Sequence, residues 1–248
     1  MTHPIATDRD YRKIIIPRWV QQEVASFPKP SREALREQAR YYHPLVDRFM
    51  PANRAGAVLE LGCGFGSFLQ ALSDRGYTNI KAIDLIPECC DYVRAEIGID
   101  AQCSDVFDFL AADEGRYDAI VAFDVIEHFT KNEIVGIVER LYDILNPGGV
   151  LVVRVPNGSS RAGLSTRYAG FTHETAFTPQ SSQELFTAMG FKDVTCLPDP
   201  VHARTPLRGA VKRAARWAFE RVLSASTMRM VPAAFTVSQN ITAVGWKR

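Results

Sequence analysis

One acidic residue and three alternating glycines stand together near position 60. Residues 57–61 form an apolar run that carries a single acid, Glu60, and Gly62, Gly64 and Gly66 follow directly. Glycine adopts positive φ at little cost and lets a ligand lie against bare backbone. A carboxylate beside such a turn would repel a phosphate, but it suits a ligand that carries an amino group. The segment therefore predicts a site for a small cationic ligand, built from a strand, a tight turn and a helix start.

A second group of reactive side chains follows the apolar run 118–123. Asp124, Glu127 and His128 are spaced i, i+3 and i+4, so they share one face if the segment is helical. His173 lies in another polar segment that is expected at the same edge of the fold. Carboxylates and imidazoles arranged in this way bind a divalent cation or orient a general base. We therefore expect catalytic roles for His128, His173 and Glu127. The predicted ligands for Mg²⁺ or Mn²⁺ are Asp124, Glu127, His128 and His173, and a histidine base without metal is the alternative.

Alternating strand and helix patterns must position these two groups. Apolar runs predict strands at 57–61, 80–83, 101–104, 118–123, 150–155, 191–197 and 236–246. Helices are predicted after Gly66 and over 31–40, 87–97, 131–145 and 182–189, with Ser31 as a cap and Tyr41–Pro44 as an interruption. This alternation is typical of an α/β fold with a parallel sheet, which binds ligands beyond the carboxyl ends of its strands. Residues 157–170 are expected to form a long loop.

The residues Glu60-Leu-Gly-Cys-Gly-Phe-Gly66 resemble the first motif of class I S-adenosylmethionine (SAM) methyltransferases. A dinucleotide fingerprint has the spacing G-x-G-x-x-G, and here the third glycine comes one residue early. The resemblance implies SAM as cofactor and a seven-stranded Rossmann-like methyltransferase sheet, mostly parallel, with an antiparallel last strand. The expected organisation is an N-terminal helical cap over 1–55 and a methyltransferase domain over 56–248. A helical insertion at about 198–235 is expected before the last strand.

Acids at the ends of the next two strands fit the same cofactor. In the family that the motif resembles, residues placed like Asp84 and Asp105 bind the ribose hydroxyls and the adenine amino group. A loop carboxylate or a helix cap is the alternative for each. Tyr42 is expected either to close over the cofactor or to pack in the core. The predicted SAM contacts are Glu60, Gly62, Cys63, Gly64, Gly66, Asp84, Leu85, Asp105, Val106, Phe123, Asp124 and Tyr42.

The segment from Asp124 to Phe129 resembles one associated with a divalent metal in small-RNA 2′-O-methyltransferases and some ubiquinone-pathway O-methyltransferases. Residues 171–179 and the insertion resemble methyltransferases of polysaccharide and lipopolysaccharide gene clusters. The resemblance implies O-methylation, with a hydroxyl of a nucleotide sugar, polysaccharide or lipid-linked intermediate as the leading acceptor. A phenolic or quinone-type hydroxyl is the first alternative, and a non-catalytic SAM-binding regulatory protein is the second.

The overall composition limits the partners. A formal charge of +1 over 248 residues disfavours nucleic acid as a partner. No run of 18 apolar residues and no signal-peptide core are seen, and the five cysteines have no C-x-x-C spacing, so we expect a cytoplasmic protein with free thiols. Basic residues recur over 204–229 on an amphipathic pattern. This predicts peripheral contact with an anionic inner membrane surface or an anionic substrate, with a core-docked helix as the alternative.

Overall fold

The computed structural model describes residues 28–198 and 238–248, together with residues 14, 15, 18 and 218. Within them a seven-stranded sheet has the order β3-β2-β1-β4-β5-β7-β6. The strands are β1 Val58–Leu61, β2 Ile80–Asp84, β3 Asp100–Cys103, β4 Tyr117–Phe123, β5 Leu145–Pro156, β6 Lys192–Pro198 and β7 Asn240–Trp246. Strands β1 to β5 pair in parallel, whereas β7 is antiparallel to both β5 and β6. The predicted mostly parallel sheet with an antiparallel last strand is confirmed.

Helices cover both faces of this sheet. They are α1 Arg32–Phe49, α2 Ser67–Asp74, α3 Pro87–Glu96, α4 Val106–Ala112, α5 Lys131–Ile144, α6 Arg161–Ala169 and α7 Pro179–Ala188. Leu59 and Leu61 of β1 pack in the core that contains α5 and α7, and Val58 packs in the core that contains α1 and α2. Because side chains alternate along a strand, Glu60 lies on the α1 and α2 face together with Val58.

Helix α1 differs from its prediction. Ser31 caps it as expected, since its Oγ accepts from Ala34 N at 3.2 Å. The helix then continues without a break through Tyr41–Pro44, so the predicted interruption is wrong. Pro44 lies on the exposed side, while Val46 and Phe49 beyond it are buried against the sheet. The apolar contacts of the last turns therefore outweigh the one helical hydrogen bond that proline removes.

Two further helices occupy segments for which the sequence pattern predicted no helix. Helix α6 lies inside the predicted loop 157–170, and Ser160 caps it by accepting from Gly163 N at 2.9 Å. Helix α4 follows β3 directly and is capped by Asp105. Both are short helices whose termini are fixed by polar side chains, so apolar periodicity gave no signal for them.

The predicted insertion at 198–235 and its basic region 204–229 lie outside the described residues, apart from Pro198 and residue 218. Contact between that region and a membrane therefore stays a prediction. None of the described helices is both long and apolar enough to cross a bilayer.

A capping box begins α5 and offers a test of the local structure. Glu133 N donates to Thr130 Oγ1 at 3.5 Å, and Thr130 N donates to Glu133 Oε2 at 2.8 Å. We expect Thr130→Ala to lower the free energy of unfolding by about 1 kcal/mol, measured by denaturant titration, because the N–H of Glu133 loses its acceptor. The control is Thr187→Ala, which replaces an exposed residue of α7 and should change the free energy of unfolding by less than about 0.5 kcal/mol. Equal losses in both variants would contradict the capping role.

Candidate active site

The glycine turn connects β1 to α2 and requires glycine at two of its positions. Gly62, Gly64 and Gly66 have φ values of +69°, +51° and +79°. A Cβ on Gly62 would lie 2.4 Å from Val125 Cγ2, and one on Gly66 would lie 2.4 Å from Ile97 Cδ1. At Gly64 there is open space, and its N–H donates to Asp84 Oδ2 at 2.7 Å. The turn thus leaves exposed backbone at the carboxyl edge of the sheet, as the spacing of the glycines predicted.

Glu60 lies directly below this turn and is only 2% exposed. Its Oε2 is buried and has no hydrogen-bond partner among the described residues. Burial, and after it the nearby charge of Asp84, raises the pKa of Glu60 well above its ordinary value. A buried carboxyl oxygen without a donor is costly, so a ligand amino group that supplies one would be bound favourably.

Asp84 ties the end of β2 to the glycine turn. Its Oδ1 accepts from Ile86 N at 2.8 Å, while Oδ2 holds Gly64 N. Burial raises the pKa of Asp84, and the backbone hydrogen bonds from Ile86 and Gly64 oppose that rise. Each carboxylate oxygen has a second lone pair, which leaves Asp84 able to accept from two hydroxyls of a ribose.

The other predicted cofactor residues occupy varied positions around this edge. Asp105 Oδ1 accepts from Phe107 N at 2.8 Å, so Asp105 caps α4, and its contact with the adenine amino group stays a prediction. Val106 begins the capped helix α4. Cys63 is buried in the turn, and Leu85 is 43% exposed beside Asp84. A large exposed apolar side chain at the ligand edge is available for the predicted SAM contact.

Tyr42 joins α1 to the sheet. Its ring stacks on Phe123, with centroids 5.2 Å apart and an interplanar angle of 19°, and it meets Phe68 edge-on at 5.6 Å. Its hydroxyl accepts from Arg154 Nη1 at 3.0 Å. Burial raises the pKa of Tyr42, and the charge of Glu60 adds to the rise. Tyr42 therefore packs between α1 and the sheet at a position close to Glu60, and its closing over the cofactor stays a prediction.

Asp124 does not join Glu127 and His128, which corrects the predicted set of four metal ligands. It has a φ of +57°, outside any helix, and residues Ile126–His128 form a single 3₁₀ turn. The predicted one-faced helix from Asp124 is therefore wrong. The carboxylate of Asp124 turns instead to Arg154 of β5, with which it forms an ion pair.

Glu127, His128 and His173 do converge. One ligand atom from each lies within 4.8 Å of the others, and the two imidazole centroids are 4.8 Å apart. His128 Nδ1 lies 3.2 Å from the carbonyl oxygen of Thr172, and His173 Nδ1 lies 3.1 Å from that of Arg167. A carbonyl oxygen only accepts, so both Nδ1 atoms carry hydrogen, and in the neutral imidazole the lone pair is then on Nε2.

Glu127 is wholly buried, and neither of its carboxyl oxygens has a partner among the described residues. Its backbone oxygen accepts from Glu174 N at 2.7 Å and from Thr175 N at 3.0 Å, which holds the 171–179 segment against the turn. Burial, then the charge of Asp124, raises the pKa of Glu127 well above its ordinary value. Burial and the neighbouring His173 lower the pKa of His128 to about 4. The carboxyl group and the two imidazoles can therefore accept a proton or bind a cation.

Arg154 is a site residue that the sequence analysis missed. Its side chain is only 13% exposed, and it contacts Asp124 and Tyr42 from the carboxyl end of β5. The signal was present, because Arg154 is the one charged residue in the apolar run 150–155. An unpaired cation on a buried strand destabilises the fold, so a single arginine in such a run indicates a partner carboxylate nearby and a candidate site residue.

Comparison with known proteins agrees with this geometry. A family model described as a methyltransferase domain matches residues 34–196. A ubiquinone biosynthesis O-methyltransferase of Xylella fastidiosa is 33% identical over 105 residues, which cover 40% of this chain and 42% of that protein. One from Xanthomonas campestris is 29% identical over 110 residues, covering 42% and 45%. The matches therefore span less than half the length of these relatives.

Solved structures share the fold at low sequence identity. A SAM-dependent methyltransferase from Archaeoglobus fulgidus has a TM-score of 0.63 at 17% identity, covering 93% of this chain and 99% of that one. The N-methyltransferase NodS from Bradyrhizobium japonicum, in complex with S-adenosyl-L-homocysteine, has a TM-score of 0.61 at 15% identity, covering 93% and 97%. Together with the family match, they show that the chain belongs to the methyltransferase domain family and has the class I SAM-dependent methyltransferase fold.

Proposed function

We propose that this protein is a SAM-dependent O-methyltransferase that activates its acceptor hydroxyl at Glu127, His128 and His173. The observation that carries the proposal is the convergence of a buried, unpartnered carboxyl group with two imidazoles whose Nε2 atoms keep lone pairs. A sulfonium methyl group needs little activation, so the enzyme's tasks are to align the acceptor and to take its proton.

The donor half of the reaction uses the glycine turn. The unpartnered Oε2 of Glu60 suits the amino group of the methionine moiety, and Asp84 suits the ribose hydroxyls. Both lie on the carboxyl edge of adjacent parallel strands, where ligands of open α/β sheets bind. The end of β4, from which Glu127 and His128 follow, lies next to β1 at the same edge, so the proposed acceptor residues adjoin the residues that would hold SAM.

The acceptor half uses the two histidines. Each Nδ1 is committed to a carbonyl, which fixes the ring and directs the basic Nε2 away from that carbonyl. Because burial keeps His128 neutral at pH values above about 4, its lone pair is available to receive the hydroxyl proton under ordinary conditions. A positive imidazolium beside Glu127 would lower the pKa of that carboxyl group, so Glu127 as a carboxylate would stabilise the imidazolium that forms, as in other histidine-dependent enzymes.

The donor set also fits a divalent cation. One carboxylate and two neutral imidazole nitrogens are ligands that Mn²⁺ and related ions accept, and the buried oxygens of Glu127 have no other partner among the described residues. A bound Mg²⁺ or Mn²⁺ would lower the pKa of a coordinated acceptor hydroxyl. Glu127, His128 and His173 would hold it, and Asp124 would not.

This ligand set gives a prediction that does not depend on turnover. We expect Glu127→Gln to weaken Mn²⁺ binding at least about tenfold, measured by the electron paramagnetic resonance signal of free Mn²⁺, because a neutral amide replaces a carboxylate ligand. Glu139→Gln, an exposed glutamate of α5 outside the cluster, is the matched control and should change that affinity by less than about twofold. Full turnover after exhaustive chelation, with no Mn²⁺ bound, would contradict the metal and leave histidine as the base.

The acceptor that the comparisons favour is a hydroxyl of a small phenolic or quinone-type molecule. The relatives named above are ubiquinone biosynthesis O-methyltransferases, whereas none of the reported comparisons supports the polysaccharide-cluster resemblance or a sugar acceptor. We therefore propose the phenolic alternative in place of the sugar hydroxyl.

An acceptor panel tests the proposed function directly. Catechols, simple phenols, nucleotide sugars and glycans would be incubated with SAM, with and without Mn²⁺, and products identified by mass spectrometry. We expect O-methylated catechols. S-adenosyl-L-homocysteine binding without a methylated product from any acceptor would favour the non-catalytic SAM-binding alternative.

A further inference from the structure

A cavity of about 260 Å³ lies between α1 and the carboxyl end of β5. Its size is near the lower end for small-molecule sites, so it admits one substituted ring rather than an extended ligand. Strands β6 and β7 close the far side through Leu197, Pro198 and Thr242. Its aromatic and basic lining residues are Tyr41, Tyr42, Phe49, Phe123, Arg48 and Arg154. The described walls are thus aromatic and basic, and none of the described lining residues is a carboxylate.

Arg154 forms the inner basic wall. Its guanidinium donates to Asp124 and to the hydroxyl of Tyr42, which uses three of its five N–H hydrogens and leaves two for a ligand. Its guanidinium carbon lies 5.8 Å, 5.6 Å and 5.0 Å from the ring centroids of Tyr41, Tyr42 and Phe123. The ion pair and the rings hold the guanidinium in one orientation, while Asp124 itself stays outside the cavity lining.

Arg48 stands at the outer wall. It is exposed, its guanidinium carbon lies 4.8 Å from the centroid of Phe49, and it forms no ion pair with any described residue. Among the described residues, Asp124 balances the charge of Arg154 and no carboxylate balances that of Arg48, so the described lining of the cavity carries an excess of positive charge. Aromatic surface beside unbalanced positive charge is complementary to an aromatic anion.

The cavity adjoins both halves of the proposed reaction. The charge of Arg154 reaches both Glu60, below the glycine turn, and Glu127, in the histidine cluster, and lowers the pKa of each. Phe123 and Tyr42 belong to the cavity wall and stack on one another, next to the end of β4 from which the cluster follows.

We propose that this cavity binds the methyl acceptor, and that the acceptor is a hydroxylated aromatic ring bearing a carboxylate. The ring lies against Tyr41 and Tyr42, and the carboxylate meets Arg48 and the free N–H hydrogens of Arg154. The inference rests on the proposed O-methyltransferase function and specifies the charge of its substrate.

A matched pair of ligands tests the charge preference. Binding of 3,4-dihydroxybenzoate and of its neutral amide, 3,4-dihydroxybenzamide, would be measured by calorimetry in the presence of S-adenosyl-L-homocysteine at low salt. We expect the carboxylate to bind about tenfold more tightly, since hydrogen bonds to charged groups exceed those to neutral ones. Arg48→Gln should remove most of this preference and leave the affinity for the amide unchanged. Arg36→Gln, an exposed arginine of α1 that does not line the cavity, is the control and should keep the preference.

The outcomes separate the two proposals. Equal affinities for the two ligands, or a preference that Arg48→Gln leaves intact, would overturn the anion site even if both ligands are methylated. A preference that is lost in Arg48→Gln and kept in Arg36→Gln supports the site. If the carboxylate then binds without being methylated by SAM, the cavity is an anion site and the proposed O-methylation of its ligand is wrong.

Discussion

Replacement of His128 by alanine is expected to lower kcat by about 10²- to 10⁴-fold. The change removes either the base that takes the acceptor proton or a ligand of the bound metal. The affinity for S-adenosyl-L-homocysteine should stay within about twofold, since the cofactor contacts at Glu60 and Asp84 do not involve His128. Steady-state kinetics with an acceptor that the wild-type enzyme methylates give kcat. Calorimetry with S-adenosyl-L-homocysteine gives the affinity separately. His173→Ala should have a loss of similar size.

The two histidines act on the same proton or cation, so their losses should not add. The double variant is expected to have a kcat close to that of the weaker single variant, as residues that work as a unit do. His43→Asn is the matched control: this histidine of α1 contacts Asp74 at 2.9 Å, away from the cluster, and kcat should be retained. Full activity of both single variants would exclude the cluster from the chemistry.

Asp84→Ala is expected to weaken binding of S-adenosyl-L-homocysteine about 100-fold or more. Two hydrogen bonds from ribose hydroxyls to a carboxylate are lost, each contributing about 1.5 kcal/mol or more. The variant also removes the acceptor of Gly64 N, which lies 2.7 Å from Asp84 Oδ2 and helps to fix the glycine turn. Calorimetric titration of the purified protein gives the affinity directly.

The control for Asp84 is Asp100→Ala, which removes an exposed carboxylate at the opposite end of the neighbouring strand. It should leave the affinity within about twofold. Thermal unfolding without ligand shows whether either variant has lost its fold. A correctly folded Asp84→Ala protein with wild-type affinity would refute the ribose contact.

Much of the fold followed from local patterns in the chain. Apolar runs, and an alternating pattern in the last strand, predicted the strands, and the spacing of Gly62, Gly64 and Gly66 predicted the turn, because only glycine fits at Gly62 and Gly66. Asp84 could be placed beside that turn because neighbouring parallel strands end at the same edge. The continuation of α1 past Pro44 was not predictable in this way, since it depends on contacts of Val46 and Phe49 with a sheet that forms from distant residues.

The sequence by itself predicted the residues of the proposed donor site, which lie within or next to one turn and are constrained by backbone conformation. The tertiary structure alone decided which residues form the proposed acceptor site. It separated Asp124 from Glu127, because an arginine on a different strand competes for that carboxylate, and it brought His173 to His128 through the path of the segment after α6. Spacing along a chain reports which side chains share a face, whereas the partner of a buried charge is set by whichever opposite charge the fold places nearest.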